Sequence, residues 1–326
     1  MLPRMTRRAL TMAGLALPLA AAARADTAWP SRPIRVIVPF PPGQSTDIVA
    51  RLVAEELSRR LPQRVVVENR AGGAGVPALE AAARAAPDGY TLVAGSIGPM
   101  AVNAAVMPRL PYDPERDFAP ITNLVTVPLG IVAHPSLPAS TPAELLALAR
   151  ASREPLDMAT AGPASGAHMA AELFAHMAGI RLNMVHYRGS GPAMTDLVAG
   201  QVRLMVDSLA SALPAIRAGR IKAVGVASPR RSAWLPEVAA LAEAVPGYEA
   251  FGWNGLAAPA GTPAPILARI GAEVGAILRE PATTARLEEL GMVADPQTPE
   301  QFAAFLRAEI AKWREVARVA NVRLEG

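Results

Sequence analysis

Asp47, preceded directly by Gln44-Ser45-Thr46, stands where the β-branched run Ile34 to Val38 gives way to helical periodicity. The intervening Pro41-Pro42-Gly43 forces a turn whose backbone can come close to a ligand. At such a strand-to-helix turn the first helical N–H groups are unpaired and the aligned peptide dipoles place positive potential there. A carboxylate or phosphate can then be held without a Lys or Arg. Two roles are open to Asp47: an acid that matches the dipole without touching a ligand, or a group that orients the turn or receives an ammonium or hydroxyl. Ser45 and Thr46 bring hydroxyls to the cap region, where capping accounts for at least one of them.

A second turn of this kind, Thr160-Ala-Gly162-Pro-Ala164-Ser165-Gly166-Ala-His168, lies about a domain's length downstream. Ser165, His168 and Asp207 are the residue types of a hydrolase triad, so a secreted serine hydrolase using Ser165 is one alternative. Gly162-Pro-Ala-Ser165-Gly166 lacks the G-x-S-x-G spacing of a nucleophile elbow, which counts against it. A lone His near a helix start is more often a structural hydrogen-bonding group than a catalyst. Arg188, in the turn Tyr187-Arg-Gly-Ser-Gly191, either adds a full charge to a bound carboxylate or is a solvated loop residue. Gly72, Gly73 and Gly75 do not have the G-x-G-x-x-G spacing of a dinucleotide loop, so no cofactor is expected. His134, His168, His176 and His186 show no ligand spacing and there is no cysteine, so no metal is expected either.

These turns need elements to hold them. Ile34–Val38, Val65–Val67 and Thr91–Ala94 read as strands. Between and after them lie a helix striped by Val49, Val53, Leu57 and Leu61, an Ala-rich helix near Val76–Ala85, and a helical stretch Met100–Val106. Near-continuous apolar strands separated by helices imply a parallel sheet covered on both faces, with the strand-to-helix loops gathered at one edge where ligands bind. Asn123–Ala133 reads as a crossover strand, and Thr141-Pro-Ala-Glu144 as the capped start of a helix to about Ala149. The alternation then restarts. Met158–Thr160, Met184–Tyr187 and Leu204–Asp207 are strands, with helices from near Ser165, Pro192 and Leu209, followed by a strand at Ala223–Ala227. The segment Gly252–Gly261 returns to the first half, and helices start at Thr262-Pro263 and Thr298-Pro299. The last helix presents Phe302, Phe305, Leu306, Ile310, Trp313 and Val316 on one face. The result is an α/β protein of two lobes. One is residues 26–123 with 249–326, the other is the inserted 124–248, and the two connecting segments form a hinge.

Arg4, Arg7 and Arg8, the apolar run Ala9–Ala23 and Ala23-Arg-Ala25 read as a cleaved export signal over residues 1–25, with Thr6-Arg-Arg8 resembling the twin-arginine type. Setting aside the four arginines of that segment (Arg4, Arg7, Arg8, Arg24), the 32 basic residues of the chain fall to parity with the 28 acidic ones. That balance, with few aromatics and no charged stripe, speaks against nucleic-acid or membrane-surface binding. Zero cysteine fits an exported protein that relies on a packed core.

The motifs, taken in order, resemble the Bug-type receptors, the periplasmic solute-binding proteins of tripartite tricarboxylate transporters. They are Pro33–Gly43 with Asp47, Val67-Glu-Asn-Arg70, Asp88-Gly-Tyr-Thr-Leu92, and His168 with Glu172-Leu-Phe174. Tyr187-Arg-Gly189, Asp196–Val202 and Gly255–Pro263 complete the set, which covers essentially the whole mature chain. The resemblance implies a type II periplasmic-binding fold and a non-catalytic, monomeric receptor that hands a small carboxylate to membrane permease subunits. A solute sensor for a membrane kinase would need the same lobes. Carried over, the carboxylate is held by Pro41, Pro42, Gly43, Gln44, Ser45, Thr46 and Asp47 in the first lobe, and by Gly162, Ala164, Ser165 and His168 in the second. Ser96, Arg188 and Asp207 are added from neighbouring strand ends and loops. Gln44 stands where the family usually has a second Gly, Ala164 replaces a common Gly, and Arg188 occupies a place usually held by Lys.

Overall fold

The computed structural model describes residues 29–324; the export segment expected at residues 1–25 lies outside the described residues. Among the described residues eight strands are joined in one hydrogen-bonded path and two more pair with its longest member, at which the whole divides into two sheets. The first sheet holds β1 (Ile34–Val38), β2 (Val65–Asn69) and β3 (Thr91–Ser96), paired in parallel in the order β2-β1-β3. The second holds β5 (Leu156–Thr160), β6 (Leu182–His186) and β7 (Leu204–Ser208), parallel in the order β6-β5-β7. The crossover strand β4 (Phe118–Ala133) serves both. From Phe118 to Pro128 it runs antiparallel to β9 (Phe251–Pro259), and from Leu129 to Ala133 antiparallel to β7. Two further strands edge it, β8 (Lys222–Val226) in the second sheet and the two-residue β10 (Val293–Ala294) in the first. Each parallel trio is thus closed by antiparallel strands that come from another part of the chain.

The central parallel strands are largely apolar because helices cover both faces, whereas the edge strands β2 and β6 are half-exposed. In β1, Ile34, Val36, Ile37 and Val38 are all buried. Helix α1 (Ser45–Arg60) turns Val49, Val53 and Leu57 inward at four-residue spacing, with Ala50 and Ala54 beside them. Leu61, the end of the expected stripe, leaves the helix at φ −97° yet stays buried. The other helices of the first half are α2 (Val76–Ala83) and α3 (Asn103–Val106), the latter entered through a π-helical turn at Gly98–Val102. Helix α4 (Pro142–Ala151) begins as its cap signals require: Thr141 Oγ1 accepts the Glu144 N–H, and Glu144 reaches back to the Ser140 N–H. Then come α5 (Gly166–Ala178), α6 (Ser190–Val198), α7 (Leu209–Arg217), α8 (Ala264–Arg279), α9 (Pro281–Glu289) and α10 (Pro299–Val319).

Helix α10 ties the two sheets together. Phe302, Leu306, Ile310, Trp313 and Val316 are buried in an apolar cluster that also contains Ile37 and Val93 of the first sheet and Ile131, Met158 and Phe174 of the second half. Tyr248 adds a hydrogen bond from its hydroxyl to the Ala170 carbonyl of α5. One charge sits on the apolar face of α10. Glu309 is 5 % exposed, and its Oε2 accepts both indole N–H groups, from Trp253 and Trp313. The burial of this carboxylate is met by two donors, which is the condition for keeping it inside.

Candidate functional site: two strand-to-helix turns

The first turn runs from the end of β1 into α1. Gln44 is the N-cap by backbone geometry and gives no side-chain cap, so neither Ser45 nor Thr46 caps the helix as the sequence suggests. Both hydroxyls serve another purpose. Thr46 Oγ1 donates to Asn254 Oδ1 at 2.5 Å, and Asn254 Nδ2 reaches Ser45 Oγ at 3.4 Å, which pins the start of α1 to β9. Asn254 is 1 % exposed in the middle of an apolar strand. A buried amide in Trp253-Asn-Gly-Leu is the sequence signal that could have identified it.

Asp47 orients the turn. Its Oδ2 accepts the Gly43 N–H at 2.9 Å and Arg51 Nε at 3.0 Å, while Oδ1 accepts Asn69 Nδ2 at 2.7 Å and pairs with Arg51 Nη2 at 2.9 Å. Burial works against its charge, but the hydrogen bonds from Arg51, Asn69 and Gly43, together with the Arg51 charge, outweigh it and hold the carboxyl below the usual range. All four positions are filled, so Asp47 has nothing left for a solute. The same bond corrects the part expected of Gly43, whose N–H belongs to Asp47. What Gly43 contributes is a φ of +89°, which a side chain would strain. The N–H groups of Gln44, Ser45, Thr46 and Asp47 itself find no acceptor among the described residues. Pro41 and Pro42, exposed beside Gly43, form the outer wall of the turn.

The second turn is built differently. Ser165 is the N-cap of α5, and its Oγ accepts the His168 N–H at 3.1 Å. His168 Nδ1 accepts the Ala164 N–H at 3.1 Å, so the ring proton sits on Nε2, 3.4 Å from Glu172 Oε1. His168 therefore folds back on its own turn, and Ala164 is held at φ +55°, a conformation that suits the Gly it replaces. Gly162, also at positive φ, packs its backbone against the Tyr187 carbonyl. At the start of α5, Gly166 and Ala167 keep N–H groups without an acceptor among the described residues. A hydrolase geometry is not present. The Ser165 hydroxyl meets a backbone amide, not an imidazole, and the Asp207 carboxylate bonds to Ser190 and Ser208, away from His168.

His186 stands against His168 with ring centroids 4.5 Å apart, edge to face, and bonds to Thr160 Oγ1 at 2.8 Å. Burial first, and the neighbouring His168 second, push its imidazole below its ordinary value, while Glu172 opposes them.

The turns of the two halves come close. A Cβ built on Gly166 would lie 2.9 Å from Ile97 Cγ2, and one on Gly98 would lie 3.6 Å from the Ala164 carbonyl, so the end of β3 abuts the second turn. A Cβ on Gly189 would lie 3.7 Å from Gln44 Nε2, so the Gln44 side chain reaches the loop between β6 and α6. Ser96, buried at the end of β3 opposite Asn254, lies within this group, whereas Arg188 is exposed beside Gly189. Ile97, Gly98, Asn254 and Ser190 are the residues that sequence reasoning missed.

Asp207 closes the ring from the end of β7. Its Oδ1 accepts Ser190 Oγ and the Ser208 N–H, both at 2.8 Å, and its Oδ2 is buried without a partner. Burial pushes the carboxyl up to about 6, against the pull of those two hydrogen bonds. The folded chain thus holds this proton more tightly than the unfolded chain, whose Asp titrates near 3.8. The stabilisation is complete below the unfolded value and is lost as pH rises through the folded one. Between pH 4 and 7.5 the ligand-free protein should lose about 3 kcal/mol from this group relative to Asp207→Asn. Parallel pH–stability curves for the two proteins, by urea unfolding, would contradict this.

A hollow of about 810 Å³ lies elsewhere, lined by Pro128, the segment Ser228–Trp234, Glu288 and Val293 on the flank of the β4 crossover. It contains no helix start, and Arg231 on its wall is tied to Glu243, so size alone does not make it the site. Among the described residues no group of three acidic or imidazole side chains could hold a metal, and no helix is long and apolar enough to cross a membrane.

Known proteins resemble this chain along nearly its whole length. The family profile "Tripartite tricarboxylate transporter family receptor" matches residues 49–322. A Pseudomonas sp. (strain P51) protein, the "UPF0065 protein in tcbD-tcbE intergenic region", is 38% identical over 95% of this chain and 93% of its own. Among solved structures, R. palustris Rpa4515 with adipate superposes with a TM-score of 0.85 at 35% identity, covering 90% of this chain and 99% of that one. MatC (Rpa3494) from Rhodopseudomonas palustris with bound malate gives 0.80 at 35% identity, covering 88% and 99%. These likenesses establish the type II periplasmic-binding fold and a solute receptor in place of an enzyme. The chain belongs to the tripartite tricarboxylate transporter receptor family.

Proposed function

We propose that this receptor works in the periplasm, binding a small organic carboxylate between its two lobes and delivering it to the membrane permease subunits of a tripartite transporter. The observation that carries this is a pair of helix starts, one in each half, with free N–H groups at Gln44–Asp47 in the first and at Gly166 and Ala167 in the second. Fixed amide dipoles in a cleft that sheds water hold an anion strongly without a formal positive charge. The adipate and malate bound to the two related structures support a carboxylate as the solute class. Arg188, exposed at the rim, adds attraction at longer range.

The lobes in this reading are residues 26–123 with 249–326, and 124–248. The change of pairing partner along β4 near Pro128, beside Phe251 of β9, favours a two-strand hinge there. Solute that touches both turns favours the closed form and shifts the equilibrium toward it. The protein acts as a monomer, exported by the segment at residues 1–25.

A thermal-shift screen of the mature protein against mono-, di- and tricarboxylates tests the reading. A cognate acid at a hundredfold excess over its Kd stabilises by about 2.7 kcal/mol. If no carboxylate raises the melting temperature while an uncharged or cationic solute does, the proposal fails.

A further inference from the structure

Asp207 has a feature that carboxylate capture does not account for. The residue is 3 % exposed, and the two donors that reach it, Ser190 Oγ and the Ser208 N–H, both go to Oδ1. Oδ2 is closed to solvent and has no partner. It stands at the cleft end of β7, paired in register with Gly130 of the crossover strand. Ser190 follows Gly189, the residue against which the Gln44 side chain lies. The orphan oxygen therefore lies behind the loop that meets the first turn.

A buried acceptor without a donor is disfavoured, and a carboxylate oxygen more than most. Interior positions of this kind are filled by apolar residues unless something supplies the missing bond. None of the side chains among the described residues does so. An ionised Asp at this place also repels a second carboxylate, so it cannot be a further anchor for one. It is suited to the opposite group, an O–H or N–H on the solute.

Resting on the carboxylate-receptor reading above, we propose that Asp207 Oδ2 accepts a hydrogen bond from a hydroxyl or ammonium group of the bound solute. Asp207 thereby selects hydroxy or amino acids over unsubstituted acids of the same length. Ser190 and the Ser208 N–H act as positioning groups: by occupying Oδ1 they leave Oδ2 as the free acceptor. The preference arises because a donor-bearing solute pairs an oxygen that has no partner in the free protein, whereas a plain acid leaves it as it was.

Calorimetric titration with matched probes tests this: succinate against malate for the hydroxyl, and succinate against aspartate for the ammonium, with glutarate and 2-hydroxyglutarate as a longer pair. The wild-type protein is expected to bind at least one donor-bearing acid tenfold or more tightly than its plain counterpart. Asp207→Ala should reduce that preference to less than about threefold, whatever it does to the affinity for the plain acid. Asp207→Asn separates the two donors. Its amide presents N–H groups where Oδ2 stood, so the ammonium advantage is lost, whereas a hydroxyl can turn and accept. Neither variant removes apolar packing, and unliganded melting curves verify folding before titration. Equal binding of every matched pair by the wild type, or a preference that survives intact in Asp207→Ala, overturns the assignment and leaves the carboxylate reading standing. Failure of these acids together with every carboxylate of the thermal-shift screen, while an uncharged or cationic solute binds, would remove both.

Discussion

Asp47→Asn is expected to weaken carboxylate binding at least about tenfold and to lower stability by about 2 kcal/mol. The sign of the first effect is informative. If Asp47 were only a charge near the cleft, its neutralisation would remove a repulsion and the solute would bind more tightly. The geometry predicts the reverse, because the carboxylate is the clamp of the turn, gathering Gly43 from before the helix, Arg51 from one turn along it, and Asn69 from the neighbouring strand. An amide of the same shape offers one acceptor where two are needed and presents an N–H to the Gly43 or Asn69 donor. The four free amides from Gln44 to Asp47 then lose the backbone position on which a shared anion depends. Because the folded carboxyl is held below 3.8, its stabilisation is present above that pH and is lost as the pH falls through the lowered value. The stability gap between the two proteins should therefore narrow in acid. Tighter binding by Asp47→Asn, in calorimetry with any solute that shifts the wild type, would show the clamp to be wrong.

The second large effect is expected at a contact between the halves. Gly291 ends α9 in a left-handed turn at φ +72°, with the Met292 N–H returning to the Leu287 carbonyl and the Gly291 N–H to Glu288. A Cβ there would lie 2.6 Å from Ala210 Cα and 2.8 Å from Ala210 N, backbone atoms of α7 on the second sheet's side. Backbone cannot rotate out of the way as a side chain can, so Gly291→Ala must either push the halves apart or break the turn. The expected loss is about 3 kcal/mol, of which about 1 kcal/mol belongs to the left-handed conformation. Gly179→Ala is the internal control. That residue ends α5 in the same conformation, at φ +62°, and faces nothing within 4 Å, so it should lose the conformational part alone. Equal destabilisation of the two variants in urea unfolding would mean that the contact across the halves carries no weight.

Much of this architecture could be read from the chain before any coordinates. Strands β1, β3 and β7 are legible because a strand buried on both faces must be largely apolar, the more exposed β2, β5 and β6 because short apolar runs alternate with helical periods, and α4 and α10 because their caps are written in consecutive residues. Two elements were not legible. Helix α9, Pro-Ala-Thr-Thr-Ala-Arg-Leu-Glu-Glu, buries only Thr283 and Leu287 and so leaves no stripe, and β10 is two residues long. The capping role expected of Ser45 or Thr46 went instead to the backbone of Gln44, since Asn254, some two hundred residues away, claimed both hydroxyls.

The sequence by itself determined that there are two strand-to-helix turns in two similar halves, because local propensity, Pro and Gly placement and apolar period all act within a few residues. Which groups in those turns remain free was decided only by the tertiary structure. Gly43 gives its amide to Asp47, Ser165 spends its hydroxyl on His168, and Asp207 is left with one oxygen unmatched, and each outcome depends on what the fold brings within 3 Å. Hydrogen bonds are short-ranged and a donor serves few acceptors, so a residue's availability to a solute is settled by neighbours that no local pattern names.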